Sequence, residues 1–308
     1  MQGAASKWEK RGRLLHADGT IPWMYGFTGA AAFDDPHGEG PVDLYISGRD
    51  DRGRSMIGRA RIDLDRYEVL ELEEEPVFTP GQLGAFDENG VSYPTLVRTK
   101  GELLMYYTGW VPTVLTPFQN HLGLARLGPD RRFHRVSRAP ILHRNDDDFL
   151  SVGSSYVSLS GGVWRLWYTS FLEWGSGEAA PKHRYEVKLA LSLDGQRWER
   201  PFGKHICVGA ENPGEHSFCR PSVLFWRGLH HMWYAFRGEH YRIGYATSED
   251  GVHWERKDDL VGLELSADGW DSKEQCYPHV IRRGNVLHMV YSGNGYGRDG
   301  LGLARMEL

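Results

Sequence analysis

Apolar and polar positions alternate in short runs along most of this chain, and one pattern returns five times. Each time, an apolar run centred on tyrosine is followed by a polar interruption and then by a short run built around Gly-Leu-Ala or a variant of it. The tyrosine runs are Leu44-Tyr45-Ile46, Met105-Tyr106-Tyr107, Leu166-Trp167-Tyr168, Met232-Trp233-Tyr234 and Met289-Val290-Tyr291. Their partners are Ile57-Gly58-Arg59-Ala60, Leu122-Gly123-Leu124-Ala125, Lys188-Leu189-Ala190-Leu191, Ile243-Gly244-Tyr245-Ala246 and Leu301-Gly302-Leu303-Ala304. Short runs of this composition, bounded by glycine-rich and polar clusters, predict strands rather than helices.

Tyr45, Tyr107, Tyr168, Tyr234 and Tyr291 lie 62, 61, 66 and 57 residues apart, the length of one four-stranded propeller blade with long loops. The pattern therefore predicts an all-β, five-bladed β-propeller. The innermost strand of each blade is expected at about residues 27–33, 93–98, 154–159, 221–226 and 278–283, most of them leading through a polar hairpin into the tyrosine strand. Residues 192–200 and 248–256 share the pattern Ser-x-Asp-Gly-x-x-Trp-Glu-Arg, in which Asp-Gly makes a tight turn and the tryptophan packs an outermost strand. The last unit reaches only its third strand at Leu308, and residues 6–12 repeat the Trp-Glu-basic pattern at Trp8, Glu9 and Lys10. The N-terminal segment is expected to supply the missing outer strand, close the ring and protect its edges. One domain, residues 1–308, is expected.

With 40% hydrophobic residues and 11 tryptophans, the 308-residue chain can build a large core distributed between blades. A net charge of −5 argues against a nucleic-acid partner, whose footprint would be a basic face. Cys207, Cys219 and Cys276 form no CxxC pair and are too few for a disulfide framework. No apolar run approaches the roughly 20 residues that cross a bilayer. A protein off the membrane, in the cytoplasm, is expected, with no cofactor and no required metal; its oligomeric state is left open.

Topology sorts the loops by face. The first-strand entrances share one rim with the loops between second and third strands. The entrances carry Asp87, Glu88, Asp148, Glu215, His216, Arg220, Asp271, Glu274 and His279. The loops on the same face carry Arg49, Asp50, Trp110, Phe118, Trp174, Arg237 and Tyr296. Carboxylates, charged donors and flat aromatic rings at one channel mouth are what a sugar site requires. Paired carboxylates cleave glycosidic bonds, one protonating the leaving oxygen while the other attacks the sugar or activates water. Arginines bind phosphate or an acidic sugar through bidentate contacts. Each residue also has a structural reading: turn formation for Asp50, Asp87 and Glu88, internal salt bridges for Glu215 and Glu274, and neutralisation of crowded carboxylates for the arginines.

Residues 47–55 (SGRDDRGRS), Gly90-Val91-Ser92-Tyr93-Pro94, the two Asp-Gly-x-x-Trp-Glu segments and residues 289–297 (MVYSGNGYG) carry a resemblance to a known superfamily. Across essentially its whole length the chain resembles the five-bladed propeller glycoside hydrolases and phosphorylases, which include arabinanases, β-xylosidases, invertases and β-mannoside phosphorylases. It is most similar to uncharacterised glycosidase-like proteins of bacterial polysaccharide gene clusters. The resemblance implies catalytic carboxylates at first-strand entrances: Asp87 or Glu88, Glu215 and Glu274, with Asp148 and Asp271 alongside. It implies a substrate shell of Arg49, Asp50, Asp148, His216, Arg220, Asp271, His279, Trp110, Trp174 and Tyr296. The chain departs from the superfamily at two places. Its first entrance reads Pro22-Trp23-Met24-Tyr25-Gly26 where hydrolases commonly carry an aspartate, and Tyr93 stands where phosphorylases often have one. The expected function is cleavage or transfer of a glycosidic bond in a sugar or glycan; the alternative is a propeller that binds glycans without turnover.

Overall fold

The computed structural model describes residues 7–35, 37–175 and 183–308, so Ser6 of the expected closing segment and residues 176–182 of the Trp174 loop lie outside the described residues. Nearly all regular structure is β. The strands, in chain order, are β1 (Glu9–Leu15), β2 (Thr28–Asp34), β3 (Val42–Arg49), β4 (Ser55–Asp63), β5 (Glu68–Leu72), β6 (Gly90–Thr99), β7 (Glu102–Pro112), β8 (Phe118–Leu127), β9 (Phe133–Arg135) and β10 (Val152–Ser160). They continue as β11 (Val163–Trp174), β12 (His183–Ser192), β13 (Ser217–Trp226), β14 (Leu229–Arg237), β15 (Tyr241–Ser248), β16 (Glu255–Arg256), β17 (Cys276–Arg283), β18 (Val286–Ser292) and β19 (Leu301–Glu307).

Antiparallel pairing runs β2-β3-β4-β5, β6-β7-β8-β9, β10-β11-β12, β13-β14-β15-β16 and β17-β18-β19-β1. Each group follows the tyrosine repeat of the sequence. In the last, the N-terminal strand pairs with the C-terminal one, Glu9 opposite Arg305 and Leu15 opposite Leu301. Trp8, just before that strand, is buried edge-on against Trp233 at 6.0 Å between ring centroids.

The apolar clusters lie between groups. Tyr45 and Ile57 pack with Met105 and Tyr107; Leu122 and Leu124 with Leu166 and Tyr168; Trp167 and Leu189 with Met232 and Tyr234. Trp233 and Ile243 then pack with Met289, Tyr291 and Trp8, and Val290, Leu301 and Leu303 pack back on Leu44 and Ile46 of the first group. Every tyrosine strand thus buries its two faces against different neighbours, which is why those runs read as nearly continuous apolar sequence.

The first strand of each group carries a β-bulge. Registers shift between Gly29 and Ala31, Ser92 and Thr95, Gly153 and Tyr156, Cys219 and Ser222, and Cys276 and His279. At each bulge one non-glycine residue takes a left-handed φ: Ala30 (44°), Tyr93 (52°), Ser154 (43°), Arg220 (53°) and Tyr277 (55°). Three of these strands begin two to four residues before the starts at 93, 154, 221 and 278 read from the sequence, at Gly90, Val152 and Ser217, and the last begins at Cys276. Three of the four carry a proline at the bulge. Pro94, Pro221 and Pro278 fall inside the unpaired step of the bulge, where the ladder asks for no N–H, so the strand runs through them.

The repeated Asp-Gly turns form as their sequence predicts. Asp194 Oδ1 accepts the backbone N–H of Gln196 and Arg197, Asp250 Oδ1 that of Val252 and His253, and Gly195 and Gly251 take φ of 73° and 77°. The following tryptophans, Trp198 and Trp254, pack edge-on against Tyr106 and Trp167.

If the N-terminal segment holds the fifth group together, Trp8→Ala should cost about 3–5 kcal/mol of stability, the range for truncating a buried large aromatic residue. Denaturant unfolding checks this, and a loss under about 1 kcal/mol would show that the segment is merely laid on the surface.

Candidate active site

The bulges build the centre of the molecule. A hydroxyl from a neighbouring group caps the peptide N–H at several of them: Ser292 Oγ accepts from Ala30 N (3.2 Å), Ser47 Oγ from Tyr93 N (2.9 Å) and Thr108 Oγ1 from Ser154 N (2.8 Å). Because a bulge re-aims side chains, the bulge residues leave the regular two-sided alternation of their strands.

Arg220, the bulge residue of the fourth group, reaches the first strands of the first and second groups. It is fully buried, and its guanidinium donates to Ala31 O and Pro94 O, both at 2.8 Å, and to Thr95 Oγ1 at 3.4 Å. Burial lowers its pKa to about 10, which leaves it charged at neutral pH. His279 lies beside Phe33 and Tyr156, also buried, and burial together with the nearby Arg220 charge holds it well below the usual histidine range, as neutral imidazole. Both residues were expected to touch substrate; both are interior, Arg220 bound to the carbonyls of Ala31 and Pro94 and His279 packed beside Phe33 and Tyr156.

A cleft of about 430 Å³ opens at the first strands. Tyr93 and Tyr277, two of the bulge residues, line it together with Ala30, a third. Tyr185, Tyr241, Tyr296, Phe27, Trp110 and Phe118 add aromatic wall, while Ser47, Asn120, Arg49 and Arg237 add polar groups. Tyr93 and Tyr277 meet edge-on at 5.2 Å, and the hydroxyls of Tyr185 and Tyr241 are hydrogen-bonded to each other. Burial raises all four phenols, Tyr93 to about 12, so they stay neutral and can both donate to and accept from sugar hydroxyls. Arg49 stacks on Phe27 at 4.7 Å, and Arg237 lies 5.5 Å from the ring centres of both Tyr241 and Tyr296. Trp110 donates its indole N–H to Ser55 Oγ (2.6 Å), which fixes the ring. Among the described residues the lining contains no aspartate or glutamate.

The sequence-identified carboxylates are elsewhere, and most share one arrangement. Asp87, buried, accepts from Tyr107 OH (2.9 Å) and Arg135 Nε (2.8 Å). Asp148 accepts from Tyr168 OH (2.7 Å), Ser170 Oγ (2.5 Å) and Lys188 Nζ (2.8 Å), with Arg200 Nε at 2.9 Å. Asp271 accepts from Tyr291 OH (2.9 Å), Gln275 (3.0 Å) and Lys10 Nζ of β1 (2.7 Å). In the fourth group Asp258 takes Tyr234 OH, and Arg256 bridges Asp258 to Glu215, reaching both Glu215 oxygens at 2.8 and 2.9 Å. Burial pushes Asp148 and Asp271 up, but the hydrogen bonds they accept outweigh it and hold both below the usual carboxylate range. Arg256 holds Glu215 at about 2.

The rest of the expected shell divides. Glu88 accepts the backbone N–H of Gly84, and Asp50 accepts those of Arg52 and Arg54 while pairing with the Arg54 side chain at 2.8 Å, so both serve turns. His216 Nδ1 lies 3.0 Å from Gly214 O, away from the cleft lining. Trp174 packs against Phe118 and Phe171, behind the cleft wall. Arg49, Trp110 and Tyr296 line the cleft. Glu274 stands at its edge: Oε2 accepts the Gly295 N–H (2.9 Å), Oε1 lies 3.7 Å from His240 Nδ1, and the turn it holds carries Tyr296. The sequence reading passed over Tyr93, Tyr185, Tyr241 and Tyr277 as binding residues. Tyr-Pro at 93–94 and 277–278 was the available signal for two of them.

No protein-family model matches the chain. Two proteins of Mycobacterium tuberculosis, the uncharacterized protein MT1551 of strain CDC 1551 and the uncharacterized protein Rv1502 of strain H37Rv, are each 38% identical to it over 304 residues, 97% of this chain and 99% of theirs. The chain belongs to their family. Among solved structures, a glycoside hydrolase superposes with a TM-score of 0.75 at 17% identity, over 98% of this chain and 92% of its own. A protein from work on the GH130 family of mannoside phosphorylases gives 0.72 at 15%, over 99% and 95% of the two chains. A thermostable family-43 glycoside hydrolase gives 0.65 at 16%, over 95% and 91%. The family thus shares the nearly all-β fold of propeller-type glycoside hydrolases.

Removing the Asp148 carboxylate would strand Lys188 and Arg200, both largely buried, so Asp148→Ala should cost about 3–5 kcal/mol by denaturant unfolding. A loss below about 1 kcal/mol would contradict the structural role. Asp148, Asp271 and Glu215 have folded-state pKa values below their unfolded ones. Their contribution is complete above the unfolded values, near pH 4, and is lost as pH falls through the folded values. Thermal scans should show a melting temperature insensitive to these groups above about pH 5 and falling steeply from about pH 4 to 2. No such fall would mean that the clasps add nothing.

Proposed function

We propose that the protein is a carbohydrate-active enzyme, a five-bladed β-propeller of one domain closed by its N-terminal strand, that holds a sugar in the tyrosine-lined cleft and acts on its glycosidic bond. The cyclic order of the interfaces, with the fifth group packed on the first, supports the ring. The cleft carries the functional reading: aromatic walls suit the C–H faces of a sugar, and neutral phenols and an amide suit its hydroxyls. Glu274 is the carboxylate at the cleft edge and is assigned the proton transfer to or from the glycosidic oxygen. The attacking group, water, phosphate or another sugar, decides between hydrolysis, phosphorolysis and transfer. Asp87, Asp148, Asp271 and Glu215 are reassigned to structure. Three free, buried thiols fit a reducing compartment such as the cytoplasm.

A second reading, glycan binding without turnover, is favoured by one observation: carboxylates of four entrances are consumed by internal partners, leaving no pair at the cleft among the described residues. Glu274→Gln separates the two, since the amide oxygen can still accept from Gly295 N. Turnover of a matched glycan should fall at least about 100-fold in kcat with KM little changed. A loss confined to KM would make Glu274 only a support for Tyr296, and absence of turnover by the wild-type protein across glycans that it binds would establish the second reading.

A further inference from the structure

Among the described residues the cleft lining holds two arginines and no aspartate or glutamate. Arg49 and Arg237 are each the last residue of a second strand, β3 and β14, and both line the cavity. Among the described residues neither forms a salt bridge. Asp50 is engaged with Arg54, and Glu274, whose charge also acts on Arg237, accepts the Gly295 N–H and lies near His240. Arg237 Nε is buried without a hydrogen-bond partner, although the guanidinium is held between the faces of Tyr241 and Tyr296. Arg49 is exposed and Arg237 half-buried, and although the Glu274 charge acts on Arg237, its Nε keeps a donor without a protein partner, so the cavity presents two guanidinium groups to an anion.

We propose that the cleft selects sugars bearing an anionic group, a carboxylate or a phosphate ester, and that Arg49 and Arg237 receive it. This rests on the reading that the cleft holds a sugar. Guanidinium groups fixed on aromatic rings lose little freedom on binding and present planar donor pairs that match a carboxylate or phosphate. The tyrosines then contact the ring of the same sugar. Specificity follows from the empty side as well: a neutral sugar leaves both cations desolvated and unpaired.

Calorimetric titration of the full chain with glucuronate, galacturonate and mannuronate, with glucose, galactose and mannose, with the matching hexose 6-phosphates, and with inorganic phosphate tests this. At least one anionic sugar should bind roughly tenfold or more tighter than its neutral counterpart, and Arg237→Gln and Arg49→Gln should each bring that ratio towards one. Uronates and hexose phosphates distinguish the two anions. Equal binding of neutral and anionic sugars, equal weakening of both by the arginine variants, or inorganic phosphate binding tighter than every anionic sugar would overturn the proposal. Failure of every sugar to bind would remove the sugar cleft with it, whereas a charge preference without turnover would remove only the catalytic reading.

Discussion

A carboxylate held by a tyrosine hydroxyl and a cation recurs in four of the five groups, buried in three of them, and the arrangement of the rest of the molecule depends on it. The tyrosine comes from the second strand in each case: Tyr107, Tyr168, Tyr234 and Tyr291. The cation comes from the outermost segment of the same group, as Arg135, Arg200, Arg256 or Lys10. One ionic cluster therefore ties the middle of each group to its edge. At Lys10 the edge is the N-terminal strand, so the same clasp that stabilises three other groups also joins the two ends of the chain. Such clusters are worth keeping only when complete, because losing one partner leaves a buried charge uncompensated. The first group departs from the pattern: Arg59 is the cation, Glu73 and Asp43 are its acids, and Trp23 fills the entrance, its ring lying across Gly48 and Gly58.

The clasps decide which residues remain for chemistry. Aspartates bound to the tyrosine hydroxyls are absent from the described lining of the cleft, and part of that lining comes from the bulges. Five left-handed positions cost on the order of 1 kcal/mol each, and hydroxyls of neighbouring strands cap several of them. In return the first strands show Tyr93 and Tyr277 to the cleft and Arg220 to the carbonyls of Ala31 and Pro94. The cleft floor is thus a by-product of the repeat, which makes it rigid, while its charged and exposed members, Arg49, Arg237 and Tyr296, come from strand ends and a turn.

Much of this was legible in the sequence. The tyrosine period gave the strand groups, and the pattern Trp8-Glu9-Lys10 correctly paired the N-terminal segment with the last strand. The clasps were legible too, though their spacing went unread: Asp87, Asp148 and Asp271 each stand 20 residues before the tyrosine they bind, and each cation sits two positions after an aromatic residue, Phe133, Trp198, Trp254 or Trp8. Direction was not legible. An acidic residue at a strand entrance can face the mouth or the interior, and only the placement of the outer-strand cation decides. Arg220 was hidden for a similar reason, since a bulge reverses the side a residue faces and the sequence shows that bulge only as a proline one position later.

The central claim is that the bulge-built, tyrosine-lined cavity is where a glycan binds. A crystal structure of the protein with a bound oligosaccharide tests it most directly. The account predicts a sugar ring seated over Tyr93 and Tyr277, within reach of Arg49, Arg237 and Glu274; a sugar bound at the outer edge of a strand group, with the cavity empty, would contradict it.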